Sequence, residues 1–427
     1  MTRALVYSHD TFGLGNVRRM LAVSEALLAR DPDLSVLLVT GSPVAHSFRL
    51  PARLDYIKLP CLTRVNSERY EVKFLKTSLD ETIGLRSSML LDAASRFKPD
   101  LVLVDKKPCG IHDELRAALQ YLRRHHPTTR NVLVLRDILD SPEVTRRTWE
   151  RNGYHALIRE FYDQILVLGA REVFDAPREY GFPAASTDKV QYCGYVPRSP
   201  GAMSREEVRR SLRLPDGEQL VLVTAGGGGD GFRLLETYLA GVARRGSGVG
   251  THSLVVAGPE LPDVQRAQLA RAAAQLPGVT LVEFLDDMMS YIGAADTVVS
   301  MGGYNTVCEI LSARKRAVVV PRVRPVAEQG MRAERMARLG LFETIHPDEL
   351  GPDRLFDAVE RQLRAARAGS AESAGPDLVG LFEAGDWAAT LLRDVESSGD
   401  QPRPVASRIV RLPGRRTWFR EHAAVRA

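Results

Sequence analysis

Along most of the chain, apolar runs of four to six residues alternate with stretches in which apolar residues recur three and four positions apart. The runs at 4–7, 36–40, 54–59, 101–105, 132–136, 164–168 and 190–193 predict strands, and the spacing at 17–28, 113–123 and 148–161 predicts helices between some of them. A second series of runs follows at 220–224, 253–257, 280–284, 296–300 and 317–320, with helical spacing in between. Strands that alternate with helices predict parallel sheets covered by helices, here built twice. The fold class expected is therefore α/β, two Rossmann-like parallel-sheet domains facing a cleft.

Proline and glycine punctuate the chain between the two series, in Tyr195-Val196-Pro197-Arg198-Ser199-Pro200-Gly201. This predicts a linker and domains at 1–197 and 198–390, with a C-terminal tail at 391–427. The segment 365–375 is Ala, Gly, Ser and charge, the composition of a flexible loop.

Three turns carry candidate chemistry. The strongest is Val298-Val299-Ser300-Met301-Gly302-Gly303-Tyr304-Asn305-Thr306-Val307-Cys308-Glu309-Ile310, a strand, a glycine turn and the opening of a helix. Gly302 and Gly303 permit torsions and close approaches that a side chain blocks, and Asn305 or Thr306 is expected to cap the helix. The free N–H groups and positive end of such a helix favour an anion, most naturally a phosphate. Glu309 then stands where its carboxylate can accept hydrogen bonds from ribose hydroxyls.

The second turn, Gly226-Gly227-Gly228-Gly229-Asp230-Gly231, packs five glycines into six positions, which suits close approach of a phosphate or sugar. The third, His9-Asp10-Thr11-Phe12-Gly13-Leu14-Gly15-Asn16, follows the first strand with only a GxG pattern. It lacks the third glycine and the acidic ribose partner of a dinucleotide fingerprint, which argues against a dehydrogenase. In parallel sheets ligands bind beyond the carboxyl ends of strands, and His9, Asp10, Asp105, Lys106, Arg136 and Asp137 all fall there.

Composition narrows the classes. Against 58 basic and 53 acidic residues a net charge of +5 argues no general affinity for nucleic acid. The four cysteines, Cys61, Cys109, Cys193 and Cys308, show no ligand spacing and read as free thiols in a reducing compartment. No Asp-x-Asp pair stands in a metal-binding context, so neither a metal nor a cofactor is expected. No stretch reaches the roughly 18 to 20 apolar residues of a membrane helix, and the N-terminus enters a strand without a secretory stretch, so a cytoplasmic protein is expected. Between Pro402 and Ala427 seven arginines interleave with Trp418 and Phe419. This tail reads either as a loosely packed terminus or as an arm for an anionic membrane surface, which would give peripheral contact at the inner face of the membrane.

The chain resembles the GT-B glycosyltransferases, in particular the MurG-like group that transfers N-acetylglucosamine from UDP-GlcNAc. The resemblance rests on Glu283-Phe284-Leu285-Asp286-Asp287-Met288, Ala294-Ala295-Asp296, the run from Ser300 to Ile310, and Glu328-Gln329 after a Val-Val-Val-Pro strand end. The N-terminal half is similar to a branch of predicted glycosyltransferases through residues 8–19, Val104-Asp105-Lys106 and the run 135–140. By this resemblance Leu285 offers its backbone to the nucleotide base. Gly302, Gly303, Asn305 and Thr306 hold the diphosphate, Glu309 binds the ribose, and Glu328 with Gln329 meets the donor sugar. Two positions depart from the group: Glu328 stands where Gln is frequent, and Asn16 stands where MurG-like enzymes place a histidine.

The activity expected is transfer of a sugar from a nucleotide sugar, UDP-linked and in the simplest case UDP-GlcNAc, to a hydroxyl of an unknown acceptor, metal-independent and inverting. The candidate base is His9, with Asp10 or Asp105 next. The glycines Gly13 and Gly15, with Asn16, and Gly226, Gly227, Gly228 and Gly229 complete the expected contacts. A non-hydrolysing UDP-sugar 2-epimerase and a nucleotide-sugar-binding protein without catalysis are the alternatives.

Overall fold

The computed structural model of the chain describes residues 2–9, 15–48, 50–64, 69–245, 250–367 and 386–398. Seven parallel strands form the first sheet: β1 (Arg3–Ser8), β2 (Ser35–Thr40), β3 (Leu54–Lys58), β6 (Leu101–Asp105), β7 (Arg130–Arg136), β8 (Gln164–Leu168) and β9 (Val190–Tyr192). A small antiparallel hairpin, β4 (Leu62–Arg64) and β5 (Tyr70–Val72), stands apart from it. The second sheet holds β10 (Gln219–Thr224), β11 (Thr251–Val256), β12 (Val279–Val282), β13 (Thr297–Ser300), β14 (Ala317–Val319) and β15 (Glu343–Thr344). Central strands such as β6 and β10 are buried along their whole length, which is why they read as unbroken apolar runs. These are the two parallel-sheet α/β domains expected from the sequence.

The strand orders decide where a ligand can sit. The first sheet runs β3-β2-β1-β6-β7-β8-β9 and the second β12-β11-β10-β13-β14-β15. In each, the chain adds strands outward on one side, then returns to the first strand and builds the other way. Connections after the two central strands therefore leave on opposite faces, and a crevice opens beyond their carboxyl ends. It lies between β1 and β6 in one sheet and between β10 and β13 in the other.

A continuous apolar cluster joins the two sheets. It includes Val17, Met20 and Leu27 of helix Gly15–Leu28, Tyr304, Val307 and Ile310 of helix Tyr304–Ser312, and Leu391, Leu392 and Val395 of helix Trp387–Ser398. The last helix returns the C-terminal end of the chain to the first sheet, where Asp394 accepts from Arg130 at 3.0 Å and Asp386 from Arg30 at 3.2 Å. It runs across position 391, where the tail was expected to begin; the basic segment 402–427 lies outside the described residues.

Polar contacts also cross between the sheets. Arg332 donates to both oxygens of Asp137, at 2.6 Å each, with both side chains fully buried. Tyr195 donates to the same carboxylate at 2.9 Å, Arg332 donates onward to the Gly302 carbonyl at 3.3 Å, and Tyr304 Oη donates to the Leu168 carbonyl at 3.0 Å.

One expectation about helices needs correction, and one helix was not expected. The predicted helix 148–161 is two helices, Pro142–Arg151 and Tyr154–Phe161, because Gly153 takes a left-handed conformation at φ 63° and breaks the run. Helix Leu79–Phe97, the longest described, has no strong apolar period. Its buried face includes Thr82 and Arg86, the latter bound to Glu114 at 2.5 and 2.7 Å. A capping box between Ser78 and Glu81 marks its start.

Removing one partner of a buried ion pair leaves the other charge unanswered, at a cost of about 3–5 kcal/mol. Asp137→Asn is expected to lower the urea-unfolding free energy by that order. Asp137→Asn with Arg332→Met is expected to recover much of the loss.

Candidate active site

The carboxyl ends of the central strands of both sheets line one cleft of about 2510 Å³. Of the residues singled out in the sequence, His9, Gly15, Asn16, Gly226, Gly227, Gly228, Gly229, Leu285, Gly303, Asn305, Thr306, Glu309, Glu328 and Gln329 line it. Asp105 and Gly302 lie just behind its wall, while Asp10 and Gly13 lie outside the described residues.

On the C-terminal side, β13 ends at Ser300 and the chain turns through Gly302, whose φ is +75°. A Cβ at Gly302 would stand 2.7 Å from Val319 Cγ1, so both the torsion and the packing against β14 exclude a side chain. Helix Tyr304–Ser312 then starts with Gly303 as its N-cap, without a side-chain cap. The expectation that Asn305 or Thr306 caps this helix is corrected: both lie inside its first turn rather than at the N-cap, and the Asn305 side chain is bound to Gly15 and Arg198 instead. Its opening is left for another acceptor, beside Asn305, Thr306 and Gln329 at the cleft wall.

Three of the site residues on this side, Glu309, Asn305 and Glu328, already meet the other domain. Glu309, with its side chain 2% exposed, accepts from Arg18 at 2.6 Å. Asn305 donates to the Gly15 carbonyl at 3.1 Å and accepts from Arg198 at 2.8 Å. Glu328 is ion-paired with Arg136, and Gln329 accepts from the Arg322 backbone at 3.1 Å. Beside Leu285 stands Phe284, an exposed aromatic side chain on the cleft.

The glycine run after β10 has a structural reason of its own. A Cβ at Gly228 would lie 2.4 Å from the Ala257 carbonyl oxygen, and one at Gly258 would lie 2.6 Å from Gly227, so the loops after β10 and β11 pack backbone to backbone. Gly226 is different: the nearest atom to its Cβ position is Thr306 Oγ1 at 4.0 Å, across the gap from the helix start. Glu260 and Asp230 stand beside the run on the cleft wall, with Asp230 taking Arg322 at 3.0 Å. Burial, then the charge of Asp230, raises the Glu260 carboxyl above its ordinary value. Carboxylates here suit hydroxyl groups better than a phosphate.

Across the cleft, at the opening between β1 and β6, His9 Nδ1 stands 3.2 Å from Asp105 Oδ2. Asp105 is fully buried and accepts from Arg19 at 2.7 Å through Oδ1. Burial lowers the His9 imidazole to about 4, against the opposing pull of Asp105. For Asp105, burial alone would raise the carboxyl, but the charge of Arg19 and the hydrogen bond from His9 outweigh it and hold it below the usual range. His9 is thus a neutral imidazole near pH 7 with one nitrogen turned to a carboxylate. The buried carboxylate can orient that ring, but it does not itself reach the cleft.

Arg18, Arg19, Arg136, Arg198, Arg332 and Phe284 also shape this site and were not assigned roles from the sequence. Arg18, Arg19 and Arg332 sit on helices, where a lone charge reads as part of a solvated face, Arg198 lies in the linker and Arg136 ends β7. Local signals were left by Arg136, at the end of a strand, and by Phe284, an aromatic in a run ending at the rim.

Residues 220–376 match the family described as the glycosyltransferase family 28 C-terminal domain. Over 185 residues the chain is 28% identical to an uncharacterized glycosyltransferase of Methanopyrus kandleri, a match covering 43% of this chain and 50% of that protein. It is 22% identical over 396 residues, 89% of this chain and 95% of the other, to the UDP-N-acetylglucosamine--N-acetylmuramyl-(pentapeptide) pyrophosphoryl-undecaprenol N-acetylglucosamine transferase of Acetivibrio thermocellus. Among solved structures, MurG of Acinetobacter baumannii superposes with a TM-score of 0.55 at 17% identity, covering 94% of this chain and 100% of that one. The UDP-GlcNAc 2-epimerase of Neisseria meningitidis, bound to UDP-GlcNAc, superposes at 0.59 with 14% identity, covering 93% and 100%.

The fold is that of the GT-B glycosyltransferases, and over residues 220–376 the chain matches a glycosyltransferase domain. Within that class the chain is MurG-like.

A histidine held neutral by burial makes stability depend on pH. Its folded value of about 4 lies below the unfolded value near 6.5, so its contribution is present above pH 6.5 and is lost as pH falls toward 4. Between pH 7 and pH 5 this amounts to about 2 kcal/mol. Asp105 titrates at lower pH and does not enter that window. Urea unfolding of His9→Gln is expected to lack this part of the acid-side loss shown by the wild type.

Proposed function

We propose that the protein transfers a sugar from a UDP-linked donor to a hydroxyl group of an acceptor bound against the N-terminal domain, with inversion at the anomeric carbon. The observation that carries this reading is the juxtaposition across one cleft of an uncapped helix start followed by Glu309 and a neutral His9 backed by Asp105. The first suits a nucleoside diphosphate and the second suits removal of a proton.

In this reading the base lies against Phe284 and Leu285, and the ribose hydroxyls donate to Glu309. Arg18 engages one oxygen of that carboxylate, leaving the other for the ribose. The diphosphate meets the amides opening helix Tyr304–Ser312 together with Thr306. Its sugar lies toward Glu328, Gln329 and Glu260, whose oxygens accept from hydroxyls. The family name of the Acetivibrio relative makes N-acetylglucosamine the first sugar to try.

The chemical step follows from these positions. His9 Nε2 takes the proton of the acceptor hydroxyl as its oxygen attacks the anomeric carbon from the face opposite the diphosphate. The bond from that carbon to the diphosphate oxygen breaks, and the developing charge is met by the helix start. The glycoside leaves with inverted configuration, UDP leaves after it, and the imidazolium returns its proton to solvent. Neutral imidazole at pH 7 is the form this step requires.

Thermal unfolding with UDP, GDP, dTDP and ADP tests the donor side. At a hundred times its dissociation constant a ligand adds about 2.7 kcal/mol of stability. UDP is expected to raise the midpoint of the wild type and to lose that effect with Glu309→Gln, whose loss of a pair to half-exposed Arg18 costs little by itself. Release of UDP from a UDP-sugar is expected to continue unchanged in EDTA. Equal stabilisation of Glu309→Gln, or no response to any nucleotide, contradicts the donor site. Conversion of the UDP-sugar to an epimer, with UDP appearing only as a slow side product, would assign the epimerase activity instead.

A further inference from the structure

The N-terminal wall of the cleft contains a buried polar chain of which the transfer step uses only the end. Asp105 closes β6 and divides its oxygens, Oδ2 to His9 Nδ1 at 3.2 Å and Oδ1 to Arg19 Nη2 at 2.7 Å. Arg19 is 2% exposed and also donates to Asn16 Oδ1 at 2.9 Å. Its guanidinium lies 5.9 Å from the centre of the Tyr304 ring, the first residue of the helix that faces His9 across the cleft. A guanidinium this deeply buried is costly unless its charge is answered, and Asp105 answers it.

We propose that Arg19 is a positioning residue for His9: by holding Asp105 it fixes the imidazole as the Nδ1–H tautomer with Nε2 left for the acceptor, and by neutralising that carboxylate it keeps the resting ring uncharged. The inference rests on His9 as the base and adds the residue that sets its state.

The reasoning is electrostatic. A buried carboxylate with no other partner draws a neighbouring imidazole toward imidazolium, which cannot accept a proton. With Arg19 on the same carboxylate most of that field is cancelled, and burial then favours the neutral ring. Lys106 and Lys107, from the loop after β6, act in the same direction on His9. From helix Gly15–Leu28 the facing charge is Arg19, since Arg18 of that helix is bound to Glu309. From the C-terminal side Tyr304 faces Arg19, and burial keeps its hydroxyl protonated. Arg19 therefore makes His9 a weaker base than an isolated His–Asp pair, but one that is unprotonated and correctly turned at neutral pH.

The test reads His9 directly, in the full chain labelled with ¹⁵N-histidine and assigned by comparison with His9→Gln. Wild-type His9 is expected as the neutral Nδ1–H tautomer from pH 8 to about 5. Arg19→Met is expected to raise its titration midpoint by about 1–3 pH units. The acid limb of UDP-sugar hydrolysis, followed by UDP release, should rise with it, and Arg19→Lys should return both close to the wild-type position. A wild-type Nε2–H tautomer or imidazolium at pH 7 overturns the proposal. So does an Arg19→Met protein whose turnover falls at every pH while the midpoint stays put, because a merely structural role behaves that way. If Arg19→Met does not fold, the wild-type tautomer and the Arg19→Lys titration decide by the same criteria. UDP binding with the wrong tautomer sinks this inference alone, whereas the expected tautomer with no nucleotide binding sinks the donor reading alone.

Discussion

The constraint on which the structure depends is the reversal of strand order in a parallel sheet. Each sheet begins in its middle, at β1 and at β10, and the return to β6 and to β13 leaves a crevice between the first strand and the returning one. The candidate chemistry lies at those two crevices. His9 and Asp105 come from the ends of β1 and β6; Gly226 and the Gly302 turn come from the ends of β10 and β13. Strand order thus brings into one cleft groups separated by up to about three hundred residues of chain.

What holds the two crevices together is a set of charged contacts between domains. Asp137 with Arg332 and Arg136 with Glu328 form two adjacent pairs of opposite sense between the end of β7 and helix Glu328–Arg338. Ala327 N donates to Asp140 at the same junction, at 3.1 Å. Burying such charges gains little net stability relative to well-packed apolar residues, but once they are buried every partner must stay in place. Arg18 adds a contact to Glu309, from a helix that also carries Arg19 and so holds Asp105 beside His9. Glu309 and the Asp105–His9 pair are in this way held by neighbouring residues of one helix.

Much of this was legible from the chain. Unbroken apolar runs such as 101–105 and 220–224 are the signature of strands covered on both faces, and the sheets formed where those runs lie. The Gly302 turn was visible because a left-handed residue packed against β14 leaves only one choice of side chain. Partners across the cleft were not visible. Nothing local tells Arg18 on a helix face that Glu309 awaits it, or tells Arg332 from the other arginines of its helix. Helix Leu79–Phe97 escaped because buried Arg86 and Thr82 interrupt its apolar stripe. The run from Gly226 to Gly229 suggested a ligand, although Gly228 is explained by the neighbouring loop after β11.

The central claim is that a nucleotide diphosphate binds where helix Tyr304–Ser312 begins. A crystal structure of the full chain with UDP tests this most directly. The account requires the diphosphate at the amides of residues 304–306, the ribose hydroxyls on Glu309 and the uracil beside Phe284 and Leu285. A diphosphate bound instead at the Gly15–Asn16 end of the N-terminal helix, with Glu309 making no contact to the ribose, would contradict it.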